Sequence, residues 1–209
     1  MPILSYILTA LGAYLLGSIP FGFLMAKAKG IDIRKVGSGN IGATNALRVL
    51  GKPAGIAVLL LDVAKGYAAV WLCAVLVKQF SANTDLETLR VVAGIFAVLG
   101  HNYTCWLKFK GGKGIATTAG VYLALAPVPL GIALAVFILV IALTRYVSVG
   151  SIAGTIALPA AVWVMTPQNI FLGIVTTALG ALAIYKHKSN IQRLRARTEN
   201  RLGQKKEAK

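Results

Sequence analysis

Seven stretches of the chain are almost unbroken apolar sequence, at about residues 3–25, 54–77, 89–107, 115–126, 128–144, 149–165 and 168–185. Most approach the roughly 20 residues that cross a bilayer as a helix. The run at 115–126 is short, and Pro127 and Pro129 separate it from the next. Proline removes a helical N–H, so this pattern predicts two helices rather than one of about 30 residues. The expected fold is all-α: a polytopic integral membrane protein with about seven transmembrane helices. It is read as one membrane-embedded domain over residues 1–209, with a basic tail over 186–209.

The polar positions fix the expected orientation. With the N-terminus outside, one side receives 27–53, 108–114, 145–148 and the tail, which hold six, three, one and nine Lys or Arg, 19 of 22. The other side receives Lys78 and Arg90, offset by Asp85 and Glu87, and an uncharged turn near Pro167. Cations stay on the cytoplasmic side, so the C-terminus is expected in the cytoplasm. A six-span count would put Arg145 and the nine-cation tail outside. No signal peptide is expected, because the run from Ile3 to Met25 has no basic residue before it and no small-residue cleavage site.

Composition agrees. The chain is 57% hydrophobic and 13% charged, with a mean hydropathy of +0.74, far from a soluble globule. This excludes a soluble enzyme, a disordered tail and a secreted disulfide scaffold. The formal charge of +16 points to nucleic acid, anionic lipid or an anionic substrate. Nucleic acid is set aside, since no soluble domain carries a binding face. Cys73 and Cys105 lie in apolar runs without metal-ligand spacing and read as small core residues. In the tail, Ile191, Leu194 and Leu202 recur at roughly helical spacing, as in a segment lying along the inner membrane surface.

Three segments on the cation-rich side are too polar for simple connectors. Residues 37–48, GSGNIGATNALR, combine Gly37, Gly39 and Gly42 with Ser38, Asn40, Thr44, Asn45 and Arg48. Glycine lets backbone N–H groups converge on an anion, and nearby cations reinforce the site. The spacing also fits G-x-G-x-x-G, but a dinucleotide site needs a preceding strand and a βαβ unit. Residues 100–118, GHNYTCWLKFKGGKGIATT, place Lys108, Lys110 and Lys113 around Gly111, Gly112 and Gly114, just before a predicted helix. Backbone, helix N-terminus and ammonium groups then converge on an anion. This is no Walker A loop, because Gly114 follows the lysine and Leu107 holds the upstream glycine position. In HKSNIQRL, residues 187–194, His187, Asn190 and Arg193 share one helix face.

Asp62 and Lys65 interrupt an apolar run. Intramembrane charges are expensive unless paired or functional. At i, i+3 these two can reach each other, so a buried pair, or ties to the loops, is expected rather than direct catalysis.

These motifs, with GSIPFG at 17–22, DVAKG at 62–66 and Glu199, resemble the bacterial PlsY family of acyl-phosphate:glycerol-3-phosphate acyltransferases over essentially the whole chain. Two positions depart from the family pattern: Thr104 stands where proline is common, and Arg197 where glycine is common. The resemblance implies transfer of an acyl group from acyl phosphate to the 1-hydroxyl of glycerol 3-phosphate. Lysophosphatidic acid and inorganic phosphate result, as the first step of bacterial phospholipid synthesis. It implies a multi-pass protein of the cytoplasmic (inner) membrane, with the active site at the cytoplasmic face.

The resemblance implies catalytic roles for Ser38, Arg48, His187 and Asn190. Substrate phosphate is expected at Gly37, Gly39, Asn40, Thr44, Asn45, Lys108, Gly111, Gly112, Lys113, Gly114 and Arg193. Structural roles fall to Asp62, Lys65 and Glu199. No metal and no cofactor are expected. The expected partners are acyl phosphate, glycerol 3-phosphate, membrane lipids and, as a candidate, the soluble enzyme that makes acyl phosphate. The base is His187 or a phosphate oxygen of a substrate; the resemblance favours the latter, with His187 orienting glycerol 3-phosphate. No Ser/His/Asp triad is evident. The rival class is a transporter of a phosphate metabolite, disfavoured because no internal repeat is visible and the polar motifs gather on one face.

Overall fold

A computed structural model of the chain describes residues 2–79 and 84–203. Every regular element among the described residues is helical. In chain order the α-helices are α1 (Pro2–Ser18), α2 (Phe21–Lys27), α3 (Ala43–Leu50), α4 (Lys52–Ala68), α5 (Ala74–Gln79), α6 (Leu86–Asn102), α7 (Ile115–Leu125), α8 (Pro127–Thr144), α9 (Val147–Met165), α10 (Ile170–Lys186) and α11 (Lys188–Arg195). A π-helical stretch, Ala69–Cys73, carries α4 into α5. Among the described residues four helical segments are long and apolar enough to cross a bilayer: Ile3–Lys27, Lys52–Gln79, Pro127–Thr144 and Val147–Met165. The bent pair α10–α11 makes a fifth if counted as one span.

Local chemistry explains several boundaries. Asp85 caps α6 by accepting from the Thr88 N–H at 2.7 Å, and Asn169 caps α10 by accepting from Leu172 at 2.9 Å. The expected break before α8 is present: α7 ends at Leu125 and α8 starts at Pro127, a first-turn position where the missing N–H costs nothing. Two apolar runs fold differently from their hydropathy. The run 3–25 is interrupted at Ile19–Pro20, and the run 89–107 leaves the helix at Asn102 to form a 3-10 turn over Cys105–Leu107. Cys105, expected in the core, is partly exposed in that turn. Asn83 and Lys205, Lys206 and Lys209 of the tail lie outside the described residues.

The chain divides into two compact units, residues 1–127 and 128–209. In the first, helices meet through small residues. A Cβ added at Gly100 would overlap the Tyr14 carbonyl, one at Gly17 the Ala97 carbonyl, and one at Gly120 the Val63 carbonyl. Such close backbone approach is how helices gain packing where burial from water offers no drive between them. The break between α1 and α2 is tied down by side chains from elsewhere. Thr104 Oγ1 donates to the Ser18 carbonyl at 2.6 Å, and Lys65 Nζ to the Ile19 carbonyl at 2.7 Å. A helix broken inside a membrane needs such replacement donors. The departure at Thr104 thus has a local account, since proline has no hydroxyl to donate.

In the second unit, α9 approaches α8 through Gly150 and Gly154, which lie against Phe137. It meets α10 at Gly173, which faces the Trp163 ring, and the Trp163 indole donates to Thr177 Oγ1 at 3.1 Å. Large apolar side chains point outward, among them Leu143, 76% exposed, and Ile138, 63% exposed. Patches of this kind mark a surface covered by lipid rather than water.

Candidate active site

The first glycine-rich segment is organised around one buried side chain. Asn45 accepts from the Ser38 N–H at 2.8 Å and donates to the carbonyls of Ile33, Val36 and Asn40 at 3.2, 3.1 and 2.9 Å. Gly37 has φ +64°, and a Cβ there would collide with the Asn45 amide, so only glycine lets the loop close on its brace. Asn45 was expected on phosphate; its amide is instead spent on holding the loop. Asn40 likewise turns inward, accepting from the Gly42 N–H at 2.8 Å. Gly42 then starts α3 without any side-chain cap. Ser38 and Thr44 are partly exposed. Arg48 is exposed one turn beyond Thr44, on the same helix face.

Two flanking groups are committed to each other. Arg34 grips Asp32 with two hydrogen bonds, at 2.8 and 2.9 Å, and lies 4.9 Å over the Phe23 ring. The Arg34 hydrogen bond holds the Asp32 carboxyl down at about 2.

The second segment folds back on the end of α6. The Gly111 N–H donates to the Asn102 carbonyl at 3.2 Å, and the Gly112 N–H to the His101 carbonyl at 3.0 Å. These two amides, expected to cradle phosphate, are therefore used in the fold. Glycine is needed here for space: a Cβ at Gly111 would overlap the His101 carbonyl, and one at Gly112 the His101 imidazole. Gly114, at φ +81°, starts α7 without a side-chain cap. The first N–H groups of a helix lack intrahelical acceptors and carry the positive end of its dipole. Lys113 immediately precedes this terminus, while Lys108 and Lys110 are exposed.

Both segments belong to the first unit, and a shared core joins them. Ile33, Ile41 and Ala46 around the first loop pack in one cluster with Leu107 of the turn before the second, together with Ala26 and Val58. Beneath lies the expected intramembrane pair, with Lys65 Nζ 2.8 Å from Asp62 Oδ1. His101 joins it, its Nδ1 3.6 Å from the same oxygen. Sequence reasoning did not single out His101, although a titratable residue inside an apolar run was the available signal.

In the second unit His187 is buried at the junction of α10 and α11, its Nδ1 2.8 Å from the Ala183 carbonyl. Asn190 is buried and donates to Glu199 at 2.8 Å; Ser148 donates to the same oxygen at 3.0 Å, and Arg193 Nε to the other at 2.7 Å. Burial pushes the Glu199 carboxyl up, but the donors Asn190, Arg193 and Ser148 outweigh it and hold it below the usual range. Arg193, expected on phosphate, thus commits its Nε to this carboxylate. The chain reverses toward Glu199 through a closing turn at the end of α11: Thr198 N donates to the Arg193 carbonyl at 2.8 Å and Arg197 N to that of Leu194 at 3.1 Å. Arg197 occupies the left-handed position of this turn, at φ +57°. No sequence signal pointed to Ser148 as a partner of Glu199.

A family model for glycerol-3-phosphate acyltransferase matches residues 7–197. The chain belongs to this family. Glycerol-3-phosphate acyltransferases from Desulforamulus reducens, Geobacter sulfurreducens and Clostridioides difficile are 49, 48 and 46% identical to it. The matches cover 97, 93 and 99% of this chain and 98, 96 and 100% of those proteins. Two crystal structures of PlsY (YgiH), an integral membrane glycerol 3-phosphate acyltransferase, superpose with TM-scores of 0.84 and 0.81 at 40% identity. Each covers 95% of this chain and 96% of the solved one; the first is its glycerol 3-phosphate form, the second its lysophosphatidic acid form. As a family member, the chain is an integral membrane acyltransferase of lipid biosynthesis. The family's glycine at the Arg197 position is accounted for by the left-handed backbone found there.

Proposed function

We propose that the chain moves the acyl group of an acyl phosphate to the 1-hydroxyl of glycerol 3-phosphate, as the first step of phospholipid synthesis. The observation that carries this reading is the pair of glycine-rich loops joined by the Ile33–Leu107 core, each feeding a helix whose N-terminus has no side-chain cap. Both substrates are phosphate compounds, and a reaction between them needs two anions held together against their repulsion. The glycerol 3-phosphate and lysophosphatidic acid forms of the PlsY structures support the same substrate and product.

In this reading the N-terminus of α3, the Ser38 hydroxyl and the Arg48 guanidinium bind one phosphate group and the charge that develops on the carbonyl oxygen. The N-terminus of α7 and Lys113 bind phosphate from the second loop, with Lys108 at its edge. Gly37, Gly39, Asn40, Asn45, Gly111 and Gly112 shape the loops, and Gly114 and Thr44 line the helix starts. By the family resemblance His187 and Asn190 orient glycerol 3-phosphate, while Glu199 and Arg193 fix Asn190. The hydroxyl oxygen bonds to the acyl carbon, the carbon–oxygen bond to phosphate breaks, and phosphate leaves with the electron pair. The hydroxyl proton passes to a substrate phosphate oxygen. No cofactor enters, because the acyl phosphate is already activated.

The seven apolar segments α1–α2, α4–α5, α6, α7, α8, α9 and α10 would each cross or enter the membrane. The cation-rich loops then lie in the cytoplasm of a bacterium, where a soluble enzyme would deliver acyl phosphate. Cysteine at Gln168 should react with an impermeant reagent in intact cells and cysteine at Thr198 should not; labelling of the latter overturns this topology.

Purified protein in detergent, given acyl phosphate and glycerol 3-phosphate, should release inorganic phosphate and form lysophosphatidic acid only when both are present. A transporter would do neither, and phosphate release independent of glycerol 3-phosphate would show hydrolysis instead.

A further inference from the structure

The buried ionisable cluster of the first unit has no direct part in the reaction above, yet it abuts the second loop. Its carboxylate, Asp62, stands between two partners: Lys65 Nζ at 2.8 Å and His101 Nδ1 at 3.6 Å. Lys65 is itself fixed, donating to the Ile19 carbonyl at 2.7 Å and lying 5.6 Å over the Phe21 ring. On the opposite side of the imidazole is Gly112, packed so closely that a Cβ would meet Nε2. The same histidine also receives the Gly112 N–H on its carbonyl, at 3.0 Å. One residue therefore sets the loop through its backbone and its ring, one position before Lys113.

We propose that His101 is a positioning residue: the Asp62–Lys65 pair fixes its imidazole, and the imidazole sets where the Gly111–Gly114 loop holds Lys113. The physical ground is rigidity. A buried ion pair is a weak source of stability compared with apolar side chains of the same volume. It does fix orientation, because any other placement leaves a charge uncompensated in low dielectric. Here the orientation fixed is that of a ring whose far edge is the floor of the loop. A shift of about 1 Å in a binding group is enough to matter for a reaction that depends on placement.

This inference rests on the proposed phosphate-binding role of Lys113, and the test separates the two. Steady-state kinetics are measured for both substrates with Lys113→Ala, Asp62→Asn, His101→Leu and His101→Gln, together with the unfolding midpoint of each. Asp62→Asn and His101→Leu should raise the KM for one phosphate substrate by about tenfold, the effect of a contact worth 1.4 kcal/mol, with little change in kcat. The substrate affected should be the one whose KM Lys113→Ala raises. Added to Lys113→Ala, each should change that KM little further, because its route to substrate is already cut. His101→Gln, which keeps a polar group under Gly112, should be milder than His101→Leu. Should His101→Leu not fold, His101→Gln carries the test through a smaller rise in the same KM, since it leaves the Asp62–Lys65 pair intact.

If Lys113→Ala leaves both KM values unchanged, the phosphate role of the loop fails. If Lys113→Ala raises a KM while Asp62→Asn lowers only the unfolding midpoint, changes only kcat, or multiplies with Lys113→Ala, the positioning role of His101 is overturned.

Discussion

The ammonium of Lys65 hydrogen-bonds the carbonyl of Ile19 at 2.7 Å while pairing with Asp62 at 2.8 Å. Ile19 sits where α1 gives way to α2, so its carbonyl has left the helical ladder. One cation thus answers both a buried carboxylate and a broken backbone. The charge pair and the proline break explain each other.

Removing only one charge should therefore be worse than removing both. Asp62→Ala leaves Lys65 buried with only a carbonyl and a ring for company, at a cost of about 3–5 kcal/mol. Asp62→Leu with Lys65→Met should recover much of that loss, though the Ile19 carbonyl keeps only the Phe21 N–H, at 3.2 Å. Thermal unfolding in detergent checks this, and additive losses would mean that the two charges do not stabilise each other.

Arg197 holds the left-handed position that closes α11. For a residue with a Cβ that conformation costs about 1–2 kcal/mol, partly offset because glycine loses more entropy on folding. Arg197→Gly should stabilise the protein by about 0.5–1 kcal/mol. A rise of about 2–4 °C per kcal/mol is the readout for a chain of this length. Activity should be unchanged, because Arg197 is exposed and the Glu199 contacts are kept.

Glu199 gives a pH signature. Its folded carboxyl titrates below the usual range, so its contribution is complete above the unfolded value of about 4.3 and is lost as pH falls further, through the folded value. Glu199→Gln should be less stable at neutral pH by about 1–3 kcal/mol, the scale of hydrogen bonds to a charge. The gap should close in acid. Unfolding midpoints for both proteins, followed from about pH 7 down through the unfolded value of about 4.3 and below it, check this. A gap independent of pH would show that the carboxylate charge is not what matters.

The first loop separates chemistry from architecture. Ser38→Ala should lower turnover by about 10²–10³-fold, the effect of deleting one donor to developing charge, with little change in the unfolding midpoint. Asn45→Ala should lower both, since it removes the acceptor of the Ser38 N–H and a donor to the carbonyls of Ile33, Val36 and Asn40. Acid-quenched mass spectrometry of wild-type protein with acyl phosphate alone should show no acyl adduct on Ser38. A competent adduct there would make the reaction proceed through a covalent intermediate.

The sequence by itself determined the solvent and the candidate chemistry. Hydropathy identified a membrane protein, proline placed the boundary before α8, and the spacing of Asp62 and Lys65 predicted their pairing. The glycine-rich loops, read with Lys113 and Arg48, pointed to phosphate. These are local properties: apolar length, backbone freedom and charge are carried by neighbouring residues. Tertiary structure decided how polar groups find partners. Hydropathy ran through Ile19 and through residues 103–107, because an apolar run does not reveal where the backbone leaves its helix. What makes the break at Pro20 tolerable comes from Lys65 and Thr104, 46 and 86 residues from the carbonyls they satisfy. The same holds for Asn45, whose amide the folded loop uses up, and for Glu199, whose donor Ser148 is 51 residues away. A polar side chain in a loop is equally suited to grip a substrate or its own backbone. Which it does depends on distances of a few tenths of an ångström, and only the folded chain sets them.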